Sequence, residues 1–185
     1  MRRTLVVALA AVVCLPVAAA ELAGVTLPDS VLVGDQELLL NGIGLREKMM
    51  FDVYVAGLYL VEPSSDANQI LDSKQVKRID MRFVYKKVSA KKLAKAWTEG
   101  IEANSDGPAG THAAGLEQLN GWMEDVVKGD TMVFTSVPGQ GLQVEVKGQA
   151  KGVIDDEAFA RAFWAVFLGP NPPTTKLREG LLQGR

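Results

Sequence analysis

Along Phe51–Val61, Phe51, Val53, Val55, Gly57 and Tyr59 interleave with Asp52, Tyr54, Ala56, Leu58 and Leu60. Both registers are largely apolar, which predicts a strand buried on two faces. Upstream, Val25–Leu27 and Val31–Val33 read as short strands divided by Pro28-Asp29. Gln36–Leu40 reads as a longer strand, joined to Phe51–Val61 through a glycine-led turn containing Gly42, Gly44 and Arg46. Pro63-Ser64-Ser65 ends the long strand, and Asp66–Leu71 has room for one or two helical turns. Val76–Tyr85 returns to a period of two, with Ile79, Met81 and Phe83 on one face and Asp80 and Arg82 on the other.

After Ser89 the period changes to that of a helix. Ser89 is a good N-cap, and Ala90, Leu93, Ala94, Trp97 and Ile101 follow at helical spacing. The stretch Asn104-Ser105-Asp106-Gly107-Pro108 interrupts it, and a second helix is predicted from Thr111 through Leu119 and Trp122 to Val126. Thr131–Val137 and Leu142–Lys147 form a hairpin about Pro138-Gly139-Gln140-Gly141, with Gly148 and Gly152 marking further turns. Asp155 or Asp156 caps a helix that buries Phe159, Phe163 and Phe167. Gly169 and the following prolines stop it, and Thr175–Leu182 forms a last short helix. The fold class is therefore α+β, with strands dominating the first half and no internal repeat.

The N-terminus has a different logic. Arg2 and Arg3 precede an apolar run, Leu5–Val13, and the segment closes on Ala18-Ala19-Ala20. This order predicts a secretory signal over residues 1–20, cleaved after Ala20, and hence a periplasmic or secreted protein. The run is shorter than the roughly 20 residues a membrane helix needs, and no other apolar stretch could span a bilayer. Residues 21–185 then form one domain. Cys14 is the only cysteine, so the mature chain has neither disulfide nor thiolate chemistry. Processing removes two arginines and no acid, leaving 18 basic against 22 acidic residues and a formal charge of −4. That balance offers no general attraction for nucleic acid or for anionic membrane surfaces. The lysines at 91, 92 and 95 lie on the polar face of the predicted helix.

The chemistry-bearing inventory is short. His112 is the one histidine, at a polar helix start, so no histidine metal cluster can be assembled. The acidic run Asp155-Asp156-Glu157 suits helix capping. Ser89, Ser105 and Ser136 lack the setting of a hydrolase nucleophile, and GQGLQVEVKG is not a phosphate loop. No catalytic residue, metal site or cofactor is assigned. Arg46 stands out: a permanent cation with a planar donor fork, leading into a buried strand. It is either a rim salt-bridge residue or the floor of a ligand site. If it is buried, it requires an anionic ligand or a neighbouring acid such as Glu47 or Asp52.

The motifs NGIGLREK, FDVYVAGLYL, AKAWTEG, KGD and PGQG, followed by the pattern GxIxxxxFxxAFxxxFLGxxPP, occur in that order from about Val25 to Leu182. The chain resembles the bacterial chalcone-isomerase-like family. Phe167 stands where many relatives carry tryptophan. The resemblance implies an open-faced β-sandwich, a long antiparallel sheet covered by helices with a small strand layer behind. It also implies two branches of function. In the plant isomerases an arginine at the Arg46 position works with a threonine, a tyrosine and an asparagine. Here the corresponding positions are Tyr54, Ser89 and either Ala96 or Trp97, so the polar network of the isomerase is not matched. The fatty-acid-binding relatives pair an arginine with a strand tyrosine to hold a carboxylate, and Arg46 and Tyr54 match that pair. The leading expectation is a non-catalytic binder of a fatty acid or similar carboxylate, with the tail in an apolar cleft between sheet and helices. The alternatives are an isomerase or lyase of unknown substrate and a partner-binding protein without a small ligand.

Overall fold

The computed structural model describes residues 19–105 and 110–185. The expected signal segment up to residue 18, Cys14 and the centre of the helix break at 106–109 lie outside them. Seven strands form one antiparallel sheet: β3 (Ser30–Val33), β4 (Gln36–Lys48), β5 (Phe51–Leu60), β6 (Lys77–Phe83), β9 (Thr131–Val137), β10 (Gly141–Val146) and β11 (Gln149–Ile154). Their spatial order is β11-β10-β9-β6-β5-β4-β3. Helices α1 (Ala67–Asp72), α2 (Ala90–Asn104), α3 (Ala113–Gly121), α4 (Glu157–Leu168) and α5 (Thr175–Leu181) accompany it. A hairpin of β1 (Ala19–Leu22) and β2 (Val25–Pro28) contributes to the core on the opposite face, and β7 (Lys87–Val88) pairs with β8 (Val126–Val127). This is the open-faced sandwich that the family resemblance implies. The strand β1 begins at Ala19, so its pairing with β2 spans the cleavage position expected after Ala20.

The two faces of β5 bury different cores. Tyr54, Ala56, Leu58 and Leu60 join the helix-side core, and Val55 and Tyr59 join the hairpin-side core with Leu27, Leu38 and Leu40. On the helix side Trp97 packs against Phe134, Phe163 and Phe167 at ring-centroid distances of 5.2, 5.4 and 6.0 Å. Its indole N–H points at the Met123 sulfur, 3.1 Å away. Trp97 is therefore a core residue. α4 is almost wholly buried along its length, because Ala160, Ala162 and Ala165 are small enough to let its aromatic residues interlock with neighbours. Side-chain caps form at Asp66, Ser89, Asp156 and Thr174, which fixes where α1, α2, α4 and α5 begin.

Several boundaries differ from the sequence pattern. Gly42 and Gly44 are not in a turn: β4 runs extended through them to Lys48, and the chain reverses at Met49-Met50. The glycines serve a close approach instead. A Cβ on Gly44 would stand 2.5 Å from the Leu177 carbonyl oxygen, and one on Gly180 would stand 2.5 Å from the Ile43 carbonyl oxygen. Helix α5 thus lies backbone-to-backbone on β4. Gly152 likewise sits inside a strand, β11, where the Trp122 ring occupies the place of a side chain. α3 stops at Gly121, short of the predicted Val126.

Asn41 decides which way β4 faces. Leu40 stands opposite Tyr59 and Gly42 opposite Leu58, so Asn41 is an extra residue in the ladder. The bulge shifts the alternation by one. Leu38 and Leu40 face the hairpin before it; Ile43 and Leu45 do so after it, leaving Gly42, Gly44 and Arg46 towards the helices. The Asn41 side chain is fully buried. Its amide donates to the Leu181 carbonyl at 2.7 Å, closing the end of α5, and its oxygen accepts from the Ser64 backbone N–H at 2.7 Å. Asn41→Ala leaves both backbone groups unpaired and is expected to cost about 2–4 kcal/mol. Urea denaturation will measure it, and Asn41→Asp, which sets an acceptor against the Leu181 carbonyl, should rescue little.

Candidate functional site

Arg46 and Tyr54 are cross-strand partners in the β4–β5 ladder and therefore share the helix-side face. Without the Asn41 bulge they would point to opposite sides. A second bulge lies beside them. Arg46 pairs with Tyr54 and Glu47 with Asp52, so Val53 is the extra residue of β5. Its carbonyl accepts the N–H groups of Val84 and Tyr85 at 3.0 and 3.2 Å. Bulges of this kind re-aim side chains at the ends of strands. The structure brings the two residues singled out from sequence side by side, where β5 meets the end of β6.

Their surroundings are unequal. Arg46 is half-buried and Tyr54 buried. The Tyr54 ring stacks edge-on against Phe83 at 5.7 Å. Burial pushes its phenol well above the ordinary tyrosine range, and the Arg46 guanidinium draws it partly back. The phenol is therefore a neutral O–H donor at any physiological pH. Its oxygen makes no hydrogen bond to any described residue.

Arg46 donates from Nη1 to the Glu47 backbone carbonyl at 2.5 Å. It has no carboxylate partner among the described residues. The two acids that could have neutralised it are otherwise disposed. Glu47 pairs with Lys176 of α5 at 2.9 Å, and Asp52 is exposed. A half-buried guanidinium with most of its donor fork uncommitted thus stands across the ladder from a phenol with an uncommitted O–H, and both are hydrogen-bond donors of the kind an oxyanion accepts.

The remaining candidates are elsewhere or engaged. Ser89 caps α2 through the Lys92 N–H, and Trp97 is a core residue, so the positions matching the isomerase's helix residues serve structure. His112 is half-buried at the start of α3, its ring edge-on to Phe159 at 6.1 Å. Asp156 caps α4 by accepting from the Phe159 N–H at 2.9 Å. Among the described residues no three His, Cys, Asp or Glu side chains gather as metal ligands. No helix among them is long and apolar enough to cross a membrane.

Two surface grooves of about 260 Å³ each are present, and neither is lined by Arg46 or Tyr54. One runs between the sheet's two edges, past Leu32, Arg78, Thr135 and Val153. The other lies by Asp72, Lys77, Arg161 and Trp164. The helix-side core that Tyr54 joins includes the buried Met81, Met123 and Met132. Sequence reasoning missed two residues that shape the site: Asn41, which orients β4, and Val53, which kinks β5. A polar residue within an apolar run was the available signal for the first.

Comparison with known proteins agrees with this architecture. The chain belongs to the chalcone isomerase-like family, whose model matches residues 19–183. Its fold is similar to that of a fatty-acid binding protein of Arabidopsis thaliana, with a TM-score of 0.74. The two are 19% identical over 90% of this chain and 96% of the plant chain. Comparison with curated protein sequences finds no match.

Proposed function

We propose that this protein is a non-catalytic binder of a fatty acid or similar carboxylate, acting in the periplasm or outside the cell. Arg46 and Tyr54 hold the head group. The observation that carries the proposal is the Arg46 guanidinium, half-buried, without an acid among the described residues and opposite the free Tyr54 hydroxyl. The plant neighbour's description as a fatty-acid binding protein supports the ligand class. The acyl tail enters the helix-side core by displacing side chains. Met81, Met123 and Met132 suit that adjustment, because unbranched thioether chains repack at low cost. The isomerase alternative has no comparable support. A neutral, strongly protonated Tyr54 is a donor rather than a base, and Ser89 and Trp97 are otherwise engaged.

The test is mass spectrometry of small molecules extracted from protein purified from its native compartment. Wild type is expected to carry a stoichiometric carboxylate. Arg46→Ala should lose it, with affinity down about a hundredfold, and Tyr54→Phe should weaken retention about tenfold. If wild type and Arg46→Ala both come out empty, and added fatty acids leave their unfolding temperatures unchanged, the binder reading is wrong.

A further inference from the structure

The β4–β5 hairpin ends in a tip that its own geometry does not explain. Lys48 pairs with Phe51, so Met49 and Met50 form a two-residue turn, with φ of 58° and 120°. Turns with positive φ at both central positions favour Asn-Gly, because only small or locally hydrogen-bonding residues adopt that backbone without strain. Here both positions carry long apolar side chains, and both chains are in solvent. Met49 is 84% exposed and Met50 98%. Phe51, beside them, is 56% exposed and packs edge-on against Tyr85 at 5.6 Å. Neither folding nor solubility favours this choice, which points to a contact with an external partner.

Charge around the tip indicates which partner. Lys48 is exposed at its base, and Lys86 is exposed immediately after Tyr85. Lys87, next in the chain, is paired with Asp125 at 2.7 Å. Lys48 and Lys86 form no ion pair with any described residue. On the tip itself Asp52 is the opposing charge. In a chain that is acidic overall, an apolar tip with basic neighbours is complementary to an anionic bilayer, whose headgroups attract lysine while its acyl boundary accepts methionine and phenylalanine.

We infer that the Met49-Met50-Phe51 tip, with Lys48 and Lys86, docks this protein on an anionic lipid surface. The tip is three residues beyond Arg46 along β4, so docking sets the carboxylate receptor next to the source of its ligand. That consequence rests on the proposed function; the docking itself does not.

The probe is flotation with phosphatidylcholine vesicles, with and without equimolar phosphatidylglycerol, using wild type and Met49→Asn/Met50→Gly. The substitution supplies the residues the turn geometry favours, so the variant should unfold at the same temperature or higher. Wild type is expected to bind the anionic vesicles in a salt-sensitive way, and the variant about tenfold more weakly. Both proteins share the apolar N-terminal segment, so the difference between them reports the tip alone. Equal binding by the two, or no binding by wild type, overturns the inference. The second result would leave the tip to a protein partner. Arg46→Ala, assayed in parallel, should still bind vesicles, and the tip variant should still hold fatty acid in vesicle-free solution. Docking and ligand capture can therefore fail separately.

Discussion

Gly42→Ala is expected to lower stability by about 3 kcal/mol or more, a loss out of proportion to one methyl group. The new Cβ would collide with the Gly180 carbonyl and stand 2.7 Å from that of Leu181. Both obstacles are main chain, so no rotamer change relieves them, and α5 has to lift from β4. Lifting α5 also withdraws the Leu181 carbonyl from Asn41 and the Lys176 ammonium from Glu47. The consequences therefore reach the site. With Lys176 gone, Glu47 is free to swing towards Arg46 and occupy the guanidinium that the ligand needs. Urea midpoints will read the stability loss. A fall in fatty-acid retention in the fraction that remains folded will read the coupling. An alanine variant of wild-type stability would show that α5 is not held by this backbone contact.

The same contact explains what could and could not be read from sequence. The strand Phe51–Leu60 and the helix Glu157–Leu168 are legible because both are buried on nearly every side, which the sequence must match with almost unbroken apolar runs. Arg46 and Tyr54 could be paired by resemblance, but their common face could not be derived. It depends on Asn41 being an extra residue, and a bulge leaves the composition of a strand unchanged. Gly42 and Gly44 suggested a turn because glycine most often supplies freedom of φ. Here it supplies room for a helix that begins more than 130 residues later in the chain. The true turn, Met49-Met50, has none of the residues that announce one. Local pattern reports local geometry, and these three features are imposed by packing at long range or by a surface role.

Alkali should unfold the protein cooperatively between pH 10 and 12, and the cause lies in two phenols. Tyr54 and Tyr59 are both buried, and burial holds each above the ordinary tyrosine value of 10.0. Below pH 10 both are protonated in the folded and unfolded chain, so they add no pH dependence. Above it the unfolded chain ionises them while the fold does not, and stability falls by about 1.4 kcal/mol per pH unit for each. The two act together, so stability falls steeply above pH 10, towards the small margin that holds a domain of this size. Lys77 acts in the opposite sense: burial lowers its pKa, so its contribution rises with pH, but only up to its ordinary value of 10.5. It does not offset the tyrosine slope beyond that point. Urea midpoints measured from pH 9 to 12 should trace this decline, with phenolate absorbance appearing as the chain unfolds. Either Tyr→Phe substitution should halve the slope. The two differ at neutral pH. Tyr59→Phe forfeits the hydrogen bond from its hydroxyl to the Pro28 carbonyl, 3.0 Å long, and should lose about 1 kcal/mol. Tyr54→Phe breaks no hydrogen bond to a described residue and should be nearly neutral. A hydroxyl that the fold does not use, kept protonated by burial beside an arginine without an acid partner among the described residues, is what a carboxylate receptor needs. A substantial loss of neutral-pH stability in Tyr54→Phe would instead make that hydroxyl a structural group and weaken the case for a ligand.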